Sequence, residues 1–397
     1  MASVKVDVNP SILSWVKHTL QRQQPLTPKQ QEDLRLLDEW IEKKSQPTFA
    51  GIEKISKHTK IPFGYFFLEE PPKDEDAAVS YRTVDSLSKM DTSRELIDVV
   101  NHMQLVQGWM SDHRRDNGFE SLPFVGCMKE EDNAAIIADS IRDVLNLPQE
   151  WYRSIPAGRE CSFQYLRAHA EQANILVMQS RSVGPAGNRQ LQIREFRAFV
   201  LVDDFAPLIF INANDTVNGK VFSLAHELAH IWIGKNNLLN AGCETFLVDP
   251  LETLCNAVAA ELLLPNEMFS MRWQEESKYE QSDTETIVHN VAKYFRCGEV
   301  PVIRRALDYG YISRVKYRTL VRFIIEKYRE NSKKKEKANS GGNYYATRAS
   351  HWDARFLQAL DASTKSGQTS YLDAYRLTKT TNKTFSKLME YARRRMA

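Results

Sequence analysis

Five consecutive residues, His226-Glu227-Leu228-Ala229-His230, place two imidazoles and a carboxylate at a spacing suited to metal-assisted hydrolysis. On a helix, positions i and i+4 lie on one face, so both rings can reach one ion. Zinc suits such nitrogen ligands and, in catalytic sites, keeps one position open for water. Glu227 then sits beside that water as a general base. The surrounding residues sharpen this reading. Phe222, Leu224, Ala225, Leu228, Ala229, Ile231 and Trp232 are apolar or small, which predicts a mostly buried helix. Two histidines and a glutamate buried there are costly without partners, and a metal supplies them.

A third ligand must come from elsewhere. A histidine six residues after His230 would complete a His₃ set, but that position is Asn236. Three carboxylates follow nearby: Glu244, Glu252 and Glu261. On one helix, Glu252 and Glu261 are separated by about 900° of rotation, so only one can face the metal. Glu252 shares its face with Asn256 and Ala259, small enough to let that helix approach the motif helix. Spacing favours Glu252 and leaves all three open. An oxyanion-stabilising Tyr or His is expected but not identifiable; His289 is a candidate that also reads as an ordinary surface or core histidine.

The elements around the motif follow from period and punctuation. Residues 163–167, 174–178, 196–202 and 207–212 read as strands, the last two forming a hairpin across the turn at 203–206. Residues 206–212, just ahead of the motif, are a candidate edge strand for holding an extended peptide by backbone hydrogen bonds. Helices are predicted over 220–234, 250–263, 282–296 and 299–308. Further upstream, 1–75 reads as helical, with Thr27 as N-cap and Pro28 at the first helical position. Around Tyr81 the chain reads as extended, and helices follow over 93–115 and 132–145. Residues 331–349 read as a polar linker with a basic run. The segment 351–397 reads as a compact helical piece with nine Lys/Arg against four Asp/Glu.

These elements give an α+β fold: mostly helical, with a small antiparallel sheet packed on the motif helix and helical domains on its flanks. The domain boundaries read as 1–75, 76–150, 151–330, a linker at 331–350, and 351–397. The 397 residues carry 53 Lys+Arg against 51 Asp+Glu, so net charge alone implies neither a nucleic-acid nor a membrane partner. No apolar run approaches 18 residues, and the N-terminus lacks the apolar core of a signal peptide. A cytoplasmic protein is expected. Five cysteines, odd in number and without a CxxC pair, argue against a disulfide framework or cysteine-zinc cluster and read as reduced, mostly buried thiols.

At three stretches the chain resembles the ImmA/IrrE family of metallo-endopeptidases. These are the strand pair at 196–212, the run Phe222-Ser223-Leu224-Ala225-His226-Glu227-Leu228-Ala229-His230, and residues 252–265, which follow the family's Glu-x-x-Ala-Asn-x-Phe-Ala-x-x-Leu-Leu-x-Pro pattern. Cys255 stands where that pattern has Ala, and Val258 where it has Phe; both are packing positions. The resemblance implies a zincin-like core holding one Zn²⁺ per chain, with His226, His230 and Glu252 as ligands and Glu227 as the base. Residues 47–72 are similar to the end of an XRE-like helix-turn-helix domain, which implies a DNA-binding or partner-docking role for 1–75. Residues 286–307 are similar to the family's downstream helices. The family's links to mobile elements and toxin–antitoxin pairs imply a regulatory protease acting on a helix-turn-helix repressor or antitoxin. The rival expectation is a toxin or transcription regulator that works by binding a partner or DNA, its zinc site structural or relict.

Overall fold

The computed structural model describes residues 4–21, 26–59, 61–71, 93–155, 161–184, 189–239, 249–278, 283–336 and 344–396. The chain divides into two compact units, Met1–Asn101 and His102–Ala397.

The first unit is helical. Helices α1 (Pro10–Gln21), α2 (Pro28–Ile41) and α3 (Phe49–Thr59) are followed by a 3₁₀ turn at Phe63–Phe67. Ile12, Leu13, Val16 and Leu20 of α1 meet Leu37 and Trp40 of α2, Ile52 and Ile55 of α3, and Phe66 in one core. Thr27 caps α2 as expected: its hydroxyl accepts from the Gln30 amide at 3.3 Å, and its own amide donates to the Gln30 side chain at 2.9 Å. The stretch expected to be extended around Tyr81 lies outside the described residues.

The second unit begins inside α4 (Arg94–Asp116) and continues through α5 (Ala134–Val144), α6 (Cys161–Gln172), β1 (Leu176–Ser180), β2 (Ala198–Leu201), β3 (Leu208–Asn212), α7 (Val217–Ile233) and β4 (Asn237–Leu239). Then come α8 (Pro250–Leu263), α9 (Asn266–Ser277), α10 (Thr284–Tyr294), α11 (Glu299–Asp308), α12 (Arg314–Glu336), α13 (Tyr344–Ser350), α14 (Ala354–Lys365), α15 (Tyr371–Thr378) and α16 (Asn382–Met396). The fold is α+β and mostly helical, as expected. Among the described residues no helix is long and apolar enough to cross a membrane. Four cysteines are free there: Cys255 and Cys297 are buried, Cys161 is half-buried and Cys127 is exposed.

Four expectations change. Residues 163–167 are helical, inside α6, because the buried side chains Phe163, Leu166, Arg167, Ala170 and Glu171 recur every three to four residues. The sheet is mixed, not antiparallel, with strand order β1-β3-β2-β4. β2 pairs antiparallel with β3 across the expected hairpin, but β1 pairs parallel with β3. β1 and β3 are joined by residues 181–207, which include β2 and are long enough for the crossover that a parallel pair requires. β3 is therefore central, hydrogen-bonded on both sides and buried throughout, so 206–212 offers no free edge to a substrate. Finally, 331–336 and 344–350 are helical, the first continuing α12 and the second forming α13.

The open side of β1 is covered by the chain after α13. Gln179 donates its amide to the His351 carbonyl at 2.8 Å and its side chain to the Ser350 carbonyl at 3.2 Å. The Val177 amide donates to the Asp353 carboxylate at 3.3 Å. Arg167 ties both pieces, bonding Glu171, the Ser350 carbonyl and the Trp352 carbonyl, each at 2.6 Å. Asp353 also caps α14, accepting from the Arg355 and Phe356 amides.

Candidate metal centre

Helix α7 begins at a Thr216 cap, whose hydroxyl accepts from the Gly219 amide at 3.0 Å. It ends at Gly234, whose φ of 75° is the left-handed conformation that stops a helix. A second positive-φ glycine, Gly126, lies against it: a Cβ added to Gly234 would fall 3.0 Å from the Gly126 Cα. Gly126 and Met128 donate their amides to the Ile231 and Trp232 carbonyls, each at 2.9 Å. These bonds satisfy carbonyls at the helix end that have no partner within it. Every residue from Ser223 to Ile233 is buried. A helix apolar on all sides belongs in a core, which is where this one lies.

Helix α8 begins with Asp249 as cap, accepting from the Leu251 amide at 2.9 Å, and Pro250 in the first turn. It packs along α7 and brings Glu252 to the histidines. The Nε2 atoms of His226 and His230 lie 3.1 Å apart. A Glu252 oxygen lies 3.3 Å from Nε2 of His226, and the other 3.4 Å from Nε2 of His230. In a tetrahedral site with bonds of about 2.0–2.1 Å, ligand atoms stand roughly 3.4 Å from one another. The donor set therefore fits a divalent metal in kind and in spacing. Two imidazole nitrogens and a carboxylate crowded together also need a cation among them.

Electrostatics separates the two carboxylates. Glu227 is fully buried, and neither of its oxygens has a hydrogen-bond partner among the described residues. Burial, and then the Glu252 charge, push its pKa well above the ordinary carboxylate value. Burial acts the same way on Glu252, but hydrogen bonds from His226 and His230 outweigh it and hold that carboxyl well below the usual range. His230 is shifted down, chiefly by burial, which favours the neutral ring that ligates metals. Burial raises the Cys255 thiol, helped by the charges of Glu252 and Glu227, so it is packing rather than a nucleophile.

The structure thus gathers His226, His230 and Glu252, with Glu227 in the same buried helix. The other carboxylates fare differently. Glu244 lies outside the described residues. Glu261 binds Arg305 of α11 at 2.9 Å and accepts from the Asn266 amide at 3.1 Å. His289 is exposed, pairs with Glu299 at 2.9 Å and is not one of the gathered ligand residues. One residue had been read from sequence only as small. Asn256 places its side-chain oxygen 3.1 Å from Nδ1 of His226. Its spacing of four from Glu252 was the available signal.

Residues 170–307 match the family model for peptidase M78, the IrrE N-terminal-like domain, a match that spans α7 and α8 and points to metallopeptidase-type function. Residues 352–391 match a domain of unknown function. No curated protein matches the chain.

Proposed function

We propose that the protein is a zinc-dependent endopeptidase, with His226, His230 and Glu252 as ligands and Glu227 as general base. The observation that carries this reading is the ligand triangle of 3.1, 3.3 and 3.4 Å, with, on the same helix as the two histidines, a buried carboxylate that has no partner among the described residues. Zinc held there would supply Lewis acidity toward a peptide carbonyl and toward water. Glu227 is placed to take a proton from an attacking water and to return it to the leaving amine. Its raised pKa suits both halves of the task, since a carboxylate poised nearer neutrality accepts and returns a proton readily. Glu252 stays ionised, as a ligand must.

The substrate we assign is a helix-turn-helix repressor or antitoxin in the cytoplasm, an assignment carried by the family resemblance. Metal content tests the site. About one zinc per chain is expected in the wild type, lost in His226→Ala and Glu252→Ala. A functional wild type without metal would overturn the reading. Glu227→Gln is expected to keep its zinc and lose its biological effect. Retention of full effect would instead favour a regulator that acts by binding, and loss of DNA affinity on deleting 1–75 would then locate that role.

A further inference from the structure

Helix α8 presents two polar side chains to α7 from one face, a turn apart. Glu252 meets the Nε2 atoms of both histidines. Asn256, four residues on, meets His226 on the opposite side of its ring, with Oδ1 3.1 Å from Nδ1. An amide oxygen only accepts, so the ring nitrogen facing it must carry a proton. A neutral imidazole has one such proton. With the neutral ring's one proton on Nδ1, Nε2 keeps its lone pair for a metal; without a metal, Nε2 is the nitrogen that can take up a further proton and donate it to Glu252, 3.3 Å away. The neutral Nδ1–H form is the tautomer a metal needs.

We infer that Asn256 is a positioning residue for the metal centre: it fixes the tautomer and the plane of His226 by accepting the Nδ1 proton. The inference rests on the zinc-site reading for its purpose, but not for its geometry. Partners of this kind commonly decide ligand orientation in metal sites. The arrangement also explains why α8 must be a helix at this point. Ligand and support are locked at i and i+4, so a one-residue slip of α8 would remove both from α7 together. Phe222, with its ring centre 6.4 Å from that of His226, lies a turn earlier on α7 and limits where the imidazole can go. The opposite orientation of the Asn256 amide would put its nitrogen against Nδ1, draw the ring proton to Nε2 and aim an N–H at the carboxylate. The two orientations predict opposite tautomers.

The test uses the full-length chain, metal-free and then zinc-loaded, with ¹⁵N spectra of its histidine side chains. His226→Gln assigns the signal. The wild type is expected to show Nδ1–H before any metal is added, and Asn256→Asp, which keeps an acceptor, is expected to show the same. Asn256→Leu, similar in size but without an acceptor, should populate the Nε2–H form and bind zinc about 10–100-fold more weakly in chelator competition. Asn256→Asp should restore affinity to within about threefold of wild type. An Nε2–H tautomer in the wild type, or unchanged affinity and tautomer in Asn256→Leu, would overturn the inference. Should Asn256→Leu fail to fold by circular dichroism, the wild-type and Asn256→Asp spectra decide alone. The two readings fail separately: zinc binding absent from the wild type sinks the metal site, whereas normal zinc binding with the wrong tautomer sinks only the role of Asn256.

Discussion

Glu227 on α7 and Glu261 on α8 are both buried glutamates of the same core, yet their surroundings differ in kind. Glu261 is fully engaged, with one oxygen on Arg305 and the other on the Asn266 amide. Arg305 in turn bonds the Asn266 side chain at 2.6 Å and the Leu264 carbonyl at 2.7 Å. The cluster engages both Glu261 oxygens and ties α8 and α11 together. Glu227 has no protein partner among the described residues and is the more deeply buried of the two. Among the described residues several single buried atoms lack a hydrogen-bond partner, but only Glu227 has two such oxygens, which marks it as the carboxylate that something outside the protein chain would complete. Completeness, more than burial or charge, separates a structural carboxylate from a chemical one in this molecule.

Substitutions can break that contrast. The largest effect is expected from Glu227→Gln, which should slow peptide hydrolysis by about 10²–10⁴-fold while thermal unfolding shows no loss of stability, since Gln fills the same space and no hydrogen bond among the described residues is lost. A marked drop in melting temperature would show that Glu227 holds the fold. Glu261→Ala should do the reverse. It leaves Arg305 buried without its counter-charge and should cost about 3–5 kcal/mol in denaturant titration, with zinc content preserved. Loss of zinc at unchanged stability would move Glu261 into the site.

A pH series sharpens the comparison with a group far from the chemistry. His102, bonded to the Leu377 carbonyl at 2.9 Å, has its pKa lowered from 6.5 to about 3 by burial and then by Lys379. The unfolded chain takes up that proton below pH 6.5 while the folded one refuses it until about 3. Stability is therefore lost as pH falls through this window, by about 1.4 kcal/mol per pH unit. His351, lowered to about 4 chiefly by burial, adds the same sign. Asp353, pushed up to about 7 by burial and Glu171, opposes them, its stability being lost as pH rises towards 7. Urea titrations at pH 7 and pH 5 should show a smaller acid loss in His102→Gln than in the wild type. Equal losses would mean that the ring is not held neutral. The smallest expected effect is at the start of α7, where Thr216→Ala should cost about 1 kcal/mol and leave zinc content unchanged.

Much of the site was legible because its parts are local. The motif lies within one helix, and Asp249-Pro250 announces the start of α8, whose predicted span of 250–263 matches the structure. Rotation about α8 correctly put Glu252 and Glu261 on different sides, but only the fold shows Arg305, distant in sequence, neutralising Glu261. Asn256 was read as small because a single sequence gives its size and not its neighbour across the helix pair. The error at 163–167 has a similar source. Phe163, Tyr165 and Arg167 alternate like a strand over five residues, and the helical period appears only once Ala170 and Glu171 are counted. Sheet order was out of reach, because it depends on where the connection over 181–197 carries the chain.

The cover over β1 has a practical meaning for anyone who trims this protein. A strand edge with unpaired amides and carbonyls is a template for adding another strand, including one from a second molecule. Here the amide of Gln179 is already taken by His351, and the Val177 amide by Asp353. A fragment ending near residue 330 would contain every proposed zinc ligand and leave those amides bare. Such a fragment should self-associate edge to edge and precipitate more readily than the full chain, so the helices after residue 344 are expected to act as a solubility guard for the core that carries the proposed zinc ligands.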